Sequence, residues 1–161
     1  MTEERKKNGV ALILFSGEMD RILAALTIAL GAAASGTPVT IFCTFWGLNL
    51  LRKKRISGGL IPQKLFQLLQ LPGGDGRPLS RFNFLGAGRW MMKGLMRRYR
   101  MPSIEEMFVQ AKTMGVEIIA CSTSMAVMGI NREDLRDEVD RVAGVASFLE
   151  TAEGSHTQLF I

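Results

Sequence analysis

The first half of the chain contains a continuous apolar run, VALILF at residues 10–15, which ends at a Ser-Gly pair. Such a run, bounded by turn residues, is typical of a strand that is buried on both faces, as in a parallel sheet. Asp20 then precedes an apolar-rich stretch over residues 21–34, where an acidic residue favours the start of a helix. The β-branched residues at 39–43 predict a second strand. Together these segments predict a right-handed βαβ unit.

The same alternation resumes after residue 101. A helix is predicted over 102–114, with Ser103 as its N-cap, and the run VEIIAC at 116–121 predicts a third strand. A chain of 161 residues is the size of one domain. We therefore predict a single domain over 1–161, with an α/β fold: a three-layer α/β/α sandwich with a five-stranded parallel sheet. The remaining predicted elements are short helical turns at 124–128 and 132–135, a strand at 138–142, a helix at 143–152 and a strand at 157–161.

A strongly basic segment interrupts this pattern. Residues 52–100 contain twelve Lys and Arg but one acidic residue, a local charge of +11, whereas the rest of the chain carries −6. We interpret residues 52–101 as a basic helical insertion in a mildly acidic domain. Such a segment forms either a solvated surface or a site that attracts phosphate, anionic lipid or an acidic partner.

Part of this segment has helical periodicity, with cations on one side and apolar residues on the other. The apolar side packs either on the sheet or a neighbouring subunit, or instead lies on a membrane surface or an acidic protein. The predicted basic, partner-binding face comprises Arg89, Lys93, Arg97 and Arg100, and the opposite face comprises Met91, Met92, Leu95, Met96 and Tyr99.

Several functional classes lack support in the sequence. His156 is the only histidine and neither cysteine belongs to a CxxC, so no metal site is predicted. GxGxxG and P-loop motifs are absent, no nucleic-acid-reading module is recognisable, and no cofactor is predicted. The longest apolar run, residues 22–34, is shorter than the ~20 residues of a membrane-spanning helix. Residues 1–7 are charged rather than signal-like, and two cysteines favour the reducing cytoplasm.

Ligands of parallel sheets gather at the carboxyl ends of the strands. Three segments are predicted there, namely residues 16–20, 43–49 and 121–125, and both cysteines end a strand. Cys121 leads into a predicted helix start, where free backbone N–H groups favour a thiolate, and Ser122, Thr123 and Ser124 add hydroxyl donors. A stabilised thiolate is a nucleophile and an acceptor of sulfane sulfur. The alternative is that Cys121, like many cysteines, only fills space in the core.

Two motifs give the chain a family resemblance. The run CTFWGLNLLR begins at Cys43, and the run CSTSMAVMGI begins at Cys121. Both resemble the TFWGL and C-x-x-S-M-x-x-M-G signatures of one branch of the DsrE/DsrF/DsrH-like family of small sulfur-relay proteins. The FSG that ends the first strand, the GVA at 144–146 and the terminal LFI also match, so the resemblance spans nearly the whole chain. One departure is Thr123, where methionine is expected more often.

The resemblance implies a homo-oligomer in which Cys121 carries sulfur as a persulfide. It also implies partners of the TusA-like and rhodanese-like carrier types, and a wall near the cysteine shaped by Trp46 and Asn49. We therefore interpret the protein as a cytoplasmic sulfur carrier or cofactor-independent sulfurtransferase. The alternative is a non-catalytic adaptor whose basic, Met-rich segment binds a membrane surface or an acidic protein, with Cys121 structural.

The role of Cys43 depends on its distance from Cys121. If their strands are neighbours, as the resemblance implies, the backbones run about 4.8 Å apart and the two Cα atoms can come within disulfide range. Cys43 would then resolve or accept the sulfur of Cys121 as a second catalytic cysteine. If the side chains project from opposite faces, Cys43 is a core residue.

Overall fold

The computed structural model describes residues 8–53, 60–68, 78–81 and 87–161. Residues 1–7 and parts of the basic segment, at 54–59, 69–77 and 82–86, lie outside the described residues. Five strands form one parallel sheet in the order β4-β3-β2-β1-β5. The strands are β1 (Val10–Leu14), β2 (Val39–Cys43), β3 (Glu117–Cys121), β4 (Arg141–Ala143) and β5 (Thr157–Phe160).

Helices cover both faces of the sheet. The α-helices are α1 (Met19–Ala34), α2 (Ile61–Leu68), α3 (Ala87–Arg98), α4 (Ile104–Thr113), α5 (Ser122–Met128) and α6 (Val145–Glu153), and the 3₁₀-helices span Phe45–Leu51 and Arg132–Asp134.

The two faces of the sheet bury different side chains because successive residues of a strand alternate. One face packs against α1 and α4 and contains the larger core, in which Leu12, Ile41 and Ile118 are buried. The other face packs against α6, where the ring of Phe42 stacks on that of Phe148 with centroids 4.7 Å apart. This arrangement confirms the predicted three-layer fold.

Local sequence accounts for several element boundaries. Ser103 and Glu106 form a capping box at the start of α4, in which each side chain bonds the other residue's backbone N–H. Gly115, with φ of +80°, follows that helix and turns the chain towards β3. The fourth strand, predicted at 138–142, begins later and runs Arg141–Ala143. Asp140 instead accepts a hydrogen bond from the backbone of Ile118 at the entrance to the strand.

The aromatic run after β2 is a 3₁₀-helix, which the sequence analysis did not identify. Gly47 lies in this helix against the end of β1, and its N–H donates to the carbonyls of Phe15 and Thr44, both at 2.9 Å. A Cβ at Gly47 would lie 2.0 Å from the Leu14 carbonyl oxygen. Only glycine therefore fits this close approach of two backbones.

In the described part of the chain, no helix combines the length and the apolarity needed to span a bilayer.

Replacing Gly47 by Ala should lower the free energy of unfolding by at least about 2 kcal/mol, because the added methyl collides with backbone that cannot turn aside. The matched control is Gly31→Ala in α1, where nothing lies within 4 Å of an added Cβ. That change should stabilise the protein by about 0.5–1 kcal/mol through helix propensity. Urea unfolding of both variants measures the difference, and equal stabilities would contradict the close packing at Gly47.

Candidate functional site

Cys121 lies where β3 passes directly into α5. It is the last residue of the strand and the N-cap residue of the helix, with an extended backbone. Its exposed fraction is 2%, so the thiol lies just beneath the surface at the carboxyl edge of the sheet. The predicted setting of a cysteine at a strand end and a helix start is therefore present.

The sulfur of Cys121 is surrounded by hydrogen-bond donors. The hydroxyl of Ser124, which is buried one turn along α5, donates to Sγ at 3.4 Å. The Ser124 Oγ in turn lies 2.7 Å from the hydroxyl oxygen of Thr44, which follows β2. The segments that follow two neighbouring strands, β2 and β3, thus contribute a short hydroxyl chain that ends at the sulfur.

Two opposing effects act on the thiol. Burial raises the pKa of Cys121, and hydrogen bonds from the Ser124 side chain, the Ser124 backbone, the Thr44 side chain and the Thr123 backbone lower it. The hydrogen bonds prevail, so the pKa of Cys121 is lower than that of an ordinary cysteine. A larger fraction of this residue is therefore the nucleophilic thiolate at neutral pH.

Thr44 is a site residue that the sequence analysis did not single out. Strand pairing places Cys43 opposite Ala120, so the next residues, Thr44 and Cys121, stand level with each other at the sheet edge. The signal in the sequence is a hydroxyl residue directly after a strand, but its value depends on a register that the sequence does not state.

The other predicted substrate-binding residues occupy varied positions. The side chains of Ser122 and Thr123 are exposed, and the contribution of Thr123 comes through its backbone. Trp46 is half-buried and packs against the larger core. Asn49 is fully buried, and its side-chain oxygen accepts a hydrogen bond from Arg52 at 2.9 Å. Among the three predicted hydroxyl residues, Ser124 is the one whose side chain donates to the sulfur.

Cys43 has a different environment from Cys121, although each ends a strand at the same edge. It is fully buried in the larger core together with Ala120, whereas Cys121 belongs to the smaller cluster with Phe42. The two cysteine side chains therefore project from opposite faces of the sheet. Burial raises the pKa of Cys43 to about 12, which keeps it a neutral thiol.

The segment after β1, the third candidate at this edge, is a polar turn. The Ser16 hydroxyl donates to the Glu18 carboxylate, which also forms an ion pair with Arg21 at 3.1 Å. Asp20 accepts hydrogen bonds from the backbone and side chain of Ser80, and its pKa is lowered because those bonds outweigh the opposing effect of burial. These hydrogen bonds and this ion pair hold together the turn after β1 and the first turn of α1.

The basic helix differs from the prediction in two ways. Its methionines do not share one buried face: Met92 and Met96 pack on the core, whereas Met91 is exposed together with Leu95 and Tyr99. The helix ends at Arg98, so Arg100 lies beyond it with φ of +54° and not on its predicted basic face. The described surface of α3 therefore mixes the predicted cations Arg89, Lys93 and Arg97 with exposed apolar side chains, among them Trp90 at 81% exposure.

The number of cations in the basic segment overestimates its basic surface, because Arg52, the first residue of the segment, is buried. Arg52 has an exposed fraction of 1%, donates to Asn49, and is stabilised by the charge of Asp134. It connects the 3₁₀-helix at Phe45–Leu51 to the second 3₁₀-helix, at Arg132–Asp134, instead of facing solvent.

Over residues 8–53, 60–68, 78–81 and 87–161, no group of three or more His, Cys, Asp or Glu residues is arranged to hold a metal ion.

In the native protein, iodoacetamide should modify Cys121 more than about 100-fold faster than Cys43 near pH 7, because a thiol with a pKa of about 12 provides almost no thiolate. The Cys121 rate should also level off at a lower pH than that of the unfolded chain. Peptide mass spectrometry measures each site, with the unfolded protein as the control in which both cysteines react. Equal native rates would contradict the two environments.

Comparison with known proteins finds relatives that match nearly the whole chain. The chain is 38% identical over 164 residues to uncharacterized protein YrkE of Bacillus subtilis, with all of both chains covered. It is 32% identical over 171 residues to sulfur carrier protein DsrE2 of Allochromatium vinosum, covering 98% of this chain and 99% of that protein.

A solved structure matches the fold of this chain, and a family model matches its sequence. The crystal structure of the ychN protein of E. coli superimposes with a TM-score of 0.58 at 11% identity, covering 96% of this chain and 99% of the other. The model of the DsrE/DsrF/DrsH-like family matches residues 6–160, which include both cysteine motifs. This protein is therefore a member of the DsrE/DsrF/DrsH-like family.

Proposed function

We propose that this protein is a sulfur carrier in which Cys121 accepts sulfane sulfur as a persulfide and passes it to a thiol of a partner. The observation that carries the proposal is the hydrogen bond from Ser124 to the sulfur, within a set of donors that lowers the pKa of Cys121. The similarity to a protein named as a sulfur carrier supports the same role.

Two exchange steps are sufficient for this function. In loading, the Cys121 thiolate attacks the outer sulfur of a donor persulfide, R–S–SH. A sulfur–sulfur bond forms on Cys121, the bond within the donor breaks, and its electron pair leaves on the donor as R–S⁻.

Unloading is the same reaction in the opposite direction. The thiolate of an acceptor attacks the outer sulfur of Cys121–S–SH and becomes a persulfide, while Cys121 leaves as a thiolate. Neither step changes the total number of electrons, so the exchange needs no cofactor. The Ser124 hydroxyl stabilises the negative charge that returns to Sγ.

The partners proposed for this exchange are sulfur-carrier proteins of the TusA-like or rhodanese-like type, and the protein itself is proposed to act as a homo-oligomer. The described surface of α3 supports a docking role because it presents Arg97 and Arg98 on the same helix as Trp90 and Met91, and all four side chains are exposed. Aromatic residues, Met and Arg are enriched at protein interfaces.

Cys43 is proposed to be a core residue without a part in transfer. Its full burial, its position on the opposite face of the sheet from Cys121, and its raised pKa of about 12 all support this assignment over that of a resolving cysteine.

A non-catalytic adaptor remains the second candidate function, and the exposed apolar and cationic surface of α3 is the observation that favours it. In that case partner binding depends on α3 alone and the chemistry of Cys121 is incidental. The next two experiments separate these candidates.

Cys121→Ser should abolish sulfur loading by polysulfide while leaving the fold intact, because the hydroxyl keeps the size of the thiol but forms no persulfide. Intact-protein mass spectrometry should show an addition of about 32 Da for wild type and none for the variant. Cys43→Ala is the matched control and should load normally. Normal loading of Cys121→Ser would remove the carrier proposal.

Reversing the charge at Arg89, Lys93 and Arg97 should weaken binding of a TusA-like partner in a salt-dependent way and leave polysulfide loading unchanged. Salt screens charges that reach solvent, as the exposed Arg97 and the half-buried Arg89 and Lys93 do, so wild type should lose affinity as salt increases while the variant should lose less. Isothermal titration at low and high salt measures this. A variant that binds the partner normally but no longer loads polysulfide would assign these residues to the active site instead.

A further inference from the structure

We propose that Thr44 is a positioning residue that directs the hydroxyl of Ser124 towards the sulfur of Cys121. This inference rests on the proposed sulfur-carrier function and deepens it. The distances that support it are 2.7 Å between the two hydroxyl oxygens and 3.4 Å between Ser124 Oγ and the sulfur.

A count of protons gives the direction of the hydrogen bonds in the hydroxyl chain. Each hydroxyl has one proton to donate, and a thiolate can only accept. Ser124 lies within hydrogen-bond distance of both Thr44 Oγ1 and the sulfur. If Ser124 donated to Thr44, its proton would be lost to the thiolate. When Thr44 donates to Ser124 instead, the Ser124 proton is available to the sulfur, and both contacts are satisfied. Thr44 then lowers the pKa of Cys121 through Ser124, because the geometry shows the hydrogen bond to the sulfur coming from Ser124.

The backbone around Thr44 holds its hydroxyl in place. The Thr44 N–H donates to the Leu14 carbonyl at 3.0 Å, and the Thr44 carbonyl accepts from Gly47. Phe45, the next residue, has φ of +42°, a left-handed conformation that costs free energy in a non-glycine residue. Its ring contacts that of Phe15, with centroids 5.5 Å apart. Contacts on both sides therefore fix the turn that carries Thr44.

The direction of this hydroxyl chain matters at the moment of transfer. When an acceptor thiolate takes the outer sulfur, the electron pair of the broken bond returns to Sγ of Cys121. A donor already directed at Sγ stabilises that charge without reorganising, so Cys121 becomes a better leaving group. Within the described residues, burial and hydrogen bonds are the main influences on the pKa of Cys121. The hydroxyl chain is therefore the adjustable part of the site.

The test compares variants of Thr44, which follows the end of β2, with a variant of Thr40, which lies within β2. Thr44→Val removes the hydroxyl at nearly constant shape, Thr44→Ala removes it without the branched side chain, and Thr44→Ser retains it. Thr40→Val is the matched control, because the Thr40 hydroxyl donates to Glu117 at 3.1 Å, away from the cysteine. The rate at which iodoacetamide modifies Cys121 is measured as a function of pH for every variant, with thermal melting as the check on folding.

Thr44→Val and Thr44→Ala should both react roughly five- to tenfold more slowly than wild type near pH 7, the effect of weakening one hydrogen bond to a charged group. Their profiles should reach the wild-type rate at high pH, where the thiolate forms without help. Thr44→Ser and Thr40→Val should follow wild type. Folded Thr44→Val and Thr44→Ala proteins with the wild-type profile would overturn the inference, and so would slowing by the same factor at every pH, which indicates altered access.

Alkylation involves no sulfur transfer, so this result stands apart from the proposed function. Polysulfide loading of wild type is measured in parallel. Failure to load, with the Thr44 effect present, would reject the carrier function and leave Thr44 as a positioning residue for the thiolate. Normal loading with an unchanged Thr44→Val profile would reject only the role of Thr44.

Discussion

The contact between Gly47 and the end of β1 is the constraint on which the candidate site depends. The Leu14 carbonyl accepts the Thr44 N–H and lies where a side chain on Gly47 would stand. The turn after β2 is thereby held against β1, although the catalytic candidate lies on β3. Because β2 is the strand between the two, the same turn brings Thr44 level with Cys121. A backbone approach at β1 thus positions the hydroxyl at the end of β2, beside the cysteine on β3.

The alternation of side chains along the strands gives the two cysteines thiols of different pKa. Cys43 and Cys121 have the same side chain and stand one residue apart in the register of adjacent strands. One faces the larger core, where desolvation raises its pKa, and the other ends its strand beside hydrogen-bond donors that lower its pKa. The difference comes from the face of the sheet and the element that follows, not from proximity to the edge alone.

Features that depend on neighbouring residues in the chain could be predicted from the sequence, whereas those that depend on distant residues could not. The apolar runs of β1 and β2 and the Ser103 cap of α4 are local signals, and all three were predicted to within a few residues. The burial of Arg52 depends on Asp134, which is remote in sequence and gives no local sign. The 3₁₀-helix at Phe45–Leu51 has no capping side chain, and its last five residues are all buried, so no local signal marks it.

The site itself divides in the same way. A cysteine at the junction of a strand and a helix can be found from local pattern, and so can Ser124 three residues later. Thr44 gains its role only from the register between β2 and β3, and the burial of Asn49 only from tertiary packing. A motif therefore identifies the proposed nucleophile, but the fold identifies the hydroxyl groups that surround it.

The two proposed roles, sulfur exchange at Cys121 and partner docking on α3, depend on different physical interactions. Hydrogen bonds at Cys121 act in a buried setting, where salt has little influence, whereas the exposed cations Arg97 and Arg98 of α3 act in solvent, where salt screens them beyond about 10 Å. Under these proposals, a change in the charge of α3 alters the affinity for a partner without changing the pKa of Cys121, because hydrogen bonds and burial are the main influences on that pKa.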